Sequence, residues 1–198
     1  MKINILDILR SKSTVLTFKE ILIASGETNP DLLKRRLHYY VKKGELYAIR
    51  RGLYAKDKTY DKFELATKIY TPAYISFETI LAQAGVIFQH YDTIFVASYQ
   101  TKEIECDNQR YSFRKIQDEI LINNTGLENK GNYFAASKER AFLDTVYLNS
   151  DYHFDNLAPL DIQKVYTLLP MYHNKRMEQR VRRYFKDSFK SQANDNRE

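Results

Sequence analysis

Three features of the 198-residue chain predict an α+β fold. Residues 17–56 run helix, turn, basic helix and hairpin; β-branched and aromatic runs alternate between 93 and 116; and a well-capped amphipathic helix starts at Ser137. The first feature has the order of a winged helix-turn-helix. The remainder fits a mixed α/β C-terminal domain, a small sheet flanked by helices. The expected organisation is therefore a winged module over 1–56, a polar linker over 57–61, a second domain over 62–190 and a frayed polar tail over 191–198.

Each N-terminal element has a local cause. Ile3, Ile5, Leu6, Ile8 and Leu9 cluster on a short helix ending near Ser11. Thr17 and Glu20 have the spacing of a capping box at the start of the next helix, and Gly26 stops it. Asn29 can cap the following helix, Pro30 fits its first position, and Asp31 suits the positive end of the dipole. From Pro30 to about Lys43, Leu33, Leu37, Tyr40 and Val41 form one apolar stripe. The other face carries Lys34, Arg35, His38 and Lys42, with Tyr39 at its border, and Gly44 ends the helix. Leu46, Ala48, Leu53 and Tyr54 flank Arg50-Arg51-Gly52, so the chain should turn back as a hairpin with an arginine tip.

Downstream, Phe63, Leu65, Ala66 and Ile69 predict a helix closed by Pro72, and Ser76 stands as the N-cap of a helix from Phe77 to Ala84. Thr93–Tyr99 reads as a buried strand. Glu103–Cys106 and Arg110–Ile116 read as a hairpin around Asp107-Asn108, Ile120–Ile122 as a further strand, and Asn123–Asn132 as a loop. Ser137 should cap a helix to Asn149 packed through Ala141, Phe142, Thr145, Val146 and Leu148. Asp161 caps a helix to Leu169 that Pro170 ends, and a last basic helix runs from about Asn174 to Phe189.

Composition narrows the function. A 43% hydrophobic chain with 16 Tyr and 11 Phe can bury a real core. One cysteine excludes an internal disulfide and favours a reducing, intracellular setting. No apolar run reaches the roughly 20 residues a spanning helix needs, and the start lacks a signal peptide's features, so the expected location is the cytoplasm.

Charge is unevenly spread. Residues 31–56 hold eight basic against two acidic residues, a surplus equal to the +6 of the whole chain. Residues 57–172 are net −5 and 173–198 net +4. A surplus that local marks a surface for a polyanion. On this reading Lys34, Arg35 and His38, beside Tyr39, face base edges of double-stranded DNA, while Lys42, Lys43, Arg50 and Arg51 grip phosphate. Lys175, Arg176, Arg180 and Arg183 on the last helix are candidate auxiliary phosphate contacts.

Catalytic signatures are missing. His38, His90, His153 and His173 show no metal-ligand spacing with Cys106 or each other, and no phosphate-binding glycine loop or nucleophile elbow is present. Neither a cofactor nor a metal is expected. Two alternatives stand beside DNA binding: a non-enzymatic module using the winged fold to hold protein, and a metal-dependent nuclease built on Asp92, Glu103 and Glu105.

The run Leu33-Lys34-Arg35-Arg36-Leu37, then Val41 to Leu46, then Ile49-Arg50-Arg51-Gly52-Leu53-Tyr54-Ala55 resembles the N-terminal winged helix of AbiEi-type antitoxins. Ala73 to Ile87 resembles the helix that follows it in that family. Ala136-Ser137-Lys138-Glu139-Arg140-Ala141-Phe142-Leu143-Asp144 is similar to an S-x-E-K-A-x-x-D element of the second domain, with Arg140 where lysine is usual. The resemblance implies a bacterial transcriptional repressor binding inverted repeats at its own promoter, a homodimer on DNA. It also implies an antitoxin paired with a nucleotidyltransferase-like toxin in a type IV toxin–antitoxin system. It makes Lys138, Arg140 and Asp144 candidate antitoxin residues. From spacing alone, Arg140 and Asp144 form an i,i+4 helical ion pair of roughly 0.2–0.5 kcal/mol.

Overall fold

The computed structural model describes residues 12–186, so the expected helix before Ser11 and the segment after Lys186 lie outside the described residues. The chain is a mixed α+β protein with two sheets. The smaller has three antiparallel strands in the order β1-β3-β2: β1 Val15–Thr17, β2 Tyr47–Arg50 and β3 Leu53–Ala55. Two helices accompany it, α1 Phe18–Ser25 and α2 Pro30–Lys42.

Thr17 ends β1 and caps α1. Its Oγ1 accepts from Glu20 N at 3.1 Å, and its own N–H donates to the Glu20 carboxylate at 2.7 Å. Both halves of the capping box are therefore made. Gly26 takes φ 61°, where a side chain would be strained, and its N–H closes on Ile23 O. Asn29 Oδ1 accepts from Asp31 N and Leu32 N, Pro30 opens α2, and Lys43 and Gly44 end it. Leu16, Ile21, Leu33, Leu37 and Leu46 form the core between these helices and the sheet, with Tyr40 and Val41 half-buried at its rim. Strand β1 gave no sequence signal, because three residues cannot show a period; Val15 pairs with Ala55 and is fully buried.

The larger sheet has six strands in the order β6-β7-β5-β4-β9-β8: β4 Ala73–Ile75, β5 Thr93–Ser98, β6 Lys102–Cys106, β7 Gln109–Lys115, β8 Leu127–Asn129 and β9 Phe134–Ala136. It is mixed: β5–β7 and β4–β9 are parallel, and the other pairs antiparallel. The β6–β7 turn is as expected, with Asp107 and Asn108 both at positive φ (49° and 58°), as a type I′ turn requires. Helices α3 Lys62–Ile69, α4 Glu78–Gln83, α5 Asp118–Leu121, α6 Lys138–Leu148, α7 Ile162–Leu168 and α8 Lys175–Tyr184 complete the described chain.

The structure corrects several sequence readings. Ser76 does not cap α4; Phe77 stands there at φ 55°, and the Ser76 hydroxyl instead donates to Asp144 at 2.7 Å. Ile120–Ile122 is not a strand: Asp118–Leu121 is a helical turn, a case where a short apolar run looks the same in either period. The supposed loop 123–132 contains β8, an edge strand paired to β9. Leu148 is exposed rather than packed. Pro170 does not end the helix after Asp161 outright, because a 3-10 turn carries the chain on to Tyr172.

The elements stack in four layers. Phe95 and Ala97 on one face of β5 share a core with Phe142, Val146, Met177, Val181 and Phe185 of α6 and α8. Ile94 and Val96 on the other face share a second core with Val15, Ile49, Leu53 and Ala55 of the small sheet and with Leu65 of α3. Beyond the small sheet lie α1 and α2.

Polar bonds lock this seam. Tyr47 and Tyr60 donate to the two oxygens of Asp107 at 2.9 and 2.8 Å, and Tyr60 is buried although it lies in the expected linker. On α3, fully buried Glu64 accepts from Ser13 Oγ, Thr14 N and Thr14 Oγ1 at 2.7, 2.8 and 2.6 Å, and Lys68 Nζ lies 3.2 Å away. Burial pushes the Glu64 carboxyl up, but these hydroxyls, the amide and Lys68 outweigh it and hold it below its ordinary value. Lys68 also donates to Val15 O at 2.6 Å and pairs with Glu20 at 3.1 Å, tying β1 and α1 to the body.

Candidate nucleic-acid interface

The caps and the apolar stripe described above decide which face of α2 is free. With Leu33 and Leu37 turned into the core, Lys34, Arg35, Arg36, His38, Tyr39 and Lys42 are all exposed. Their electrostatics differ. Lys34 Nζ pairs with Asp31 at 2.9 Å, and this bond and charge hold the Asp31 carboxyl below its usual range. Arg35 reaches the Asp31 carbonyl at 3.5 Å, and Arg36 pairs with Glu27 at 3.0 Å. The first turn of α2 is thus partly neutralised by Asp31 and Glu27. Its C-terminal part is not: among the described residues His38 and Lys42 form no ion pair, and Lys43 lies 4.8 Å above the Tyr39 ring.

The β2–β3 turn carries Arg50 and Arg51, both exposed and, among the described residues, neither in an ion pair. Gly52 completes the turn at φ 80°, and its carbonyl accepts from Phe18 N at 2.8 Å, so the arginine tip is fastened to the start of α1. The register of β2 against β3 shifts between Ala48 and Arg50. The structure therefore gathers Lys34, Arg35, His38, Tyr39, Lys42, Lys43, Arg50 and Arg51 on the exterior of one small unit whose base is clamped by Asp107. Sequence reasoning missed the clamp residues Tyr47, Tyr60, Glu64 and Lys68, because each bonds to a partner far away in the chain.

The candidate antitoxin residues lie elsewhere. Lys138 is half-exposed beside Glu139, but Arg140 and Asp144 are fully buried. They do not form the direct pair that i,i+4 spacing suggested. The Arg140 guanidinium donates to the carbonyls of Asn123 and Thr125, to Ile120 O at 2.7 Å and to Tyr74 Oη at 3.1 Å. Asp144 accepts from Tyr74, Ser76 and Tyr172 at 3.0, 2.7 and 2.7 Å. Tyr74 bridges the two charges. Burial raises the Asp144 carboxyl, with Arg140 and the three hydroxyls pulling against it. The Arg140 guanidinium rises despite its burial, because Tyr74 and Asp144 favour its charge. This network fastens the C-terminal end of α5 and the loop after it to the core.

Lys175, Arg176 and Arg183 are exposed on α8, with Arg180 half-buried, at the far side of the layered stack from α2. Glu103 and Glu105 lie exposed on edge strand β6, and Asp92 stands in an exposed loop next to His90. Among the described residues no group of three or more His, Cys, Asp or Glu side chains could hold a metal, and no helix is long and apolar enough to cross a membrane. Burial, then Asp107, pushes the Cys106 thiol up, away from nucleophilic use. The sequence matches no protein-family model, and comparison with curated proteins finds no match.

Proposed function

We propose that the N-terminal unit is a winged helix-turn-helix that binds duplex DNA, with α2 as the recognition helix and the Arg50–Arg51 hairpin as the wing. The observation that carries this reading is the exposed His38, Tyr39, Lys42 and Lys43 toward the end of α2 together with the exposed Arg50 and Arg51 of the turn, none of them in an ion pair among the described residues. A groove-reading helix needs exposed donors, and its neighbours need phosphate-gripping cations held in fixed relation to it. The core of Leu16, Leu33, Leu37 and Leu46, with Tyr54 of β3 packed against it, supports that fixed relation.

The likeness to AbiEi-type antitoxins extends the proposal to a bacterial repressor acting on inverted repeats at its own promoter, as a homodimer on DNA. It further pairs the protein with a nucleotidyltransferase-like toxin. Because Arg140 and Asp144 are buried, they support an antitoxin surface by holding α5 and α6 in place rather than by touching a toxin. The test is a titration of the full-length chain with its upstream DNA at two salt concentrations, beside an unrelated duplex. Four phosphate contacts from Lys42, Lys43, Arg50 and Arg51 predict a loss of about a hundredfold for a fourfold rise in salt. Equal binding to both duplexes would overturn the repressor reading. For the antitoxin role, co-expression with a neighbouring nucleotidyltransferase should restore growth, and unrelieved toxicity would remove that role.

A further inference from the structure

The basic helix at the other end of the molecule is built differently from α2. Asn174 caps α8 by accepting from Met177 N at 3.1 Å. Met177, Val181 and Phe185, spaced i, i+4, i+8, are buried against α6, where Phe185 and Tyr184 pack on Phe142 with ring centroids 5.6 and 5.7 Å apart. That packing turns Lys175, Arg176, Arg182, Arg183 and Lys186 outward. Among the described residues none of these five forms an ion pair, and Glu178 is the helix's one acidic residue. On α2, by contrast, Lys34 and Arg36 are both neutralised by carboxylates.

Position rules out a shared straight duplex. Between α8 and α2 stand α6, the six-stranded sheet and the three-stranded sheet, since the two faces of β5 belong to separate cores. A duplex seated on α2 lies across the whole thickness of the molecule from α8. Chemistry selects the occupant. Protein interfaces form around an apolar, aromatic-rich centre, and α8 exposes no large apolar side chain. Phosphate gripping needs only cations, and arginine-rich ones suit it best.

We propose that the outer face of α8 is a second nucleic-acid site, which holds the sugar-phosphate backbone of a separate segment without reading bases. It does not depend on α2 binding DNA, so one chain can bridge two segments.

The experiment uses the full chain with Lys34, Arg35, Lys42, Lys43, Arg50 and Arg51 all changed to Gln, which removes the base-facing and phosphate-gripping cations assigned to the N-terminal face. Binding to a random-sequence 20-base-pair duplex is followed by fluorescence anisotropy at several salt concentrations. The proposal expects residual, salt-sensitive binding. Adding Arg176→Gln, Arg182→Gln and Arg183→Gln should weaken it at least tenfold and flatten the salt slope by about 3, near 1 per cation removed. An unchanged thermal melt shows that the fold survives these exposed changes. Residual binding that is absent, or indifferent to the three α8 changes, overturns the proposal. So does poly-glutamate of matched charge binding as tightly as the duplex, which would give the face to an acidic protein instead. Failure of the α2 reading shows separately, as a six-residue variant that binds upstream DNA like the unaltered chain.

Discussion

Two helical charge pairs, at nearly the same spacing, meet opposite fates. Asp31 and Lys34 on α2 join directly at 2.9 Å in full solvent. Arg140 and Asp144 on α6 lie in the core and meet only through Tyr74. The difference comes from what each helix packs against. Among the described residues nothing covers one side of α2, so its charges stand in solvent. Helix α6 is covered by α4, α7, α8 and β9, so the charges of Arg140 and Asp144 must find internal partners or cost several kcal/mol. The cations of α2 stand in solvent, whereas Arg140 of α6 is a structural bolt.

The largest expected effect tests that contrast from the buried side. Arg140→Leu leaves Asp144 uncompensated and three carbonyls without their donor, and should cost about 3–5 kcal/mol. For a chain of this size that lowers Tm by about 10 °C in a thermal melt. A change below 1 kcal/mol would break the comparison.

Next is the seam. Glu64→Gln should cost about 1–3 kcal/mol, because the Ser13, Thr14 and Lys68 groups lose a charged acceptor. The folded carboxyl titrates below its unfolded value. Its contribution is therefore complete above about pH 4.3 and is lost as pH falls through the lower folded value. Denaturant midpoints measured between pH 3 and 7 should show that acid-side loss in the native chain and a weaker one in the variant.

On the exposed side, Lys34→Ala should leave Tm within about 0.5 kcal/mol of stability yet cost about 1–3 kcal/mol in binding at particular base positions. Uniform weakening across sequences would move Lys34 from base reading to phosphate gripping. The smallest effect is Asp31→Ala. It should leave the melt unchanged and slightly strengthen duplex binding, because it frees Lys34 and removes a carboxylate from the face. Weaker binding would show that Asp31 orients Lys34 usefully.

Local signals made much of this fold legible in the sequence. Thr17 with Glu20, Asn29 with Pro30, Gly26, Asp107-Asn108 and Ser137 each fix an element end through bonds to chain neighbours. The exposed face of α2 followed from the period of Leu33 and Leu37. The misses were nonlocal. Ser76 has the composition of a cap, but Asp144, 68 residues away, takes its hydroxyl. Ile120-Leu121 reads equally as strand or helix until Arg140 is seen to hold its carbonyl. Strand β1 exists because β3 offers an edge, and residues 57–61 look like a connector until Tyr60 reaches Asp107. Burial of Arg140 was invisible for the same reason, since spacing does not report what covers a helix.

We propose that the exposed cations of the N-terminal unit bind duplex DNA. The most direct measurement compares the full chain with its Arg50→Ala, Arg51→Ala variant on upstream DNA across a salt series. The account predicts at least a tenfold loss of affinity for the variant, a salt slope shallower by about 2, and an unchanged melt. Equal affinity and equal slope for the two proteins would contradict it.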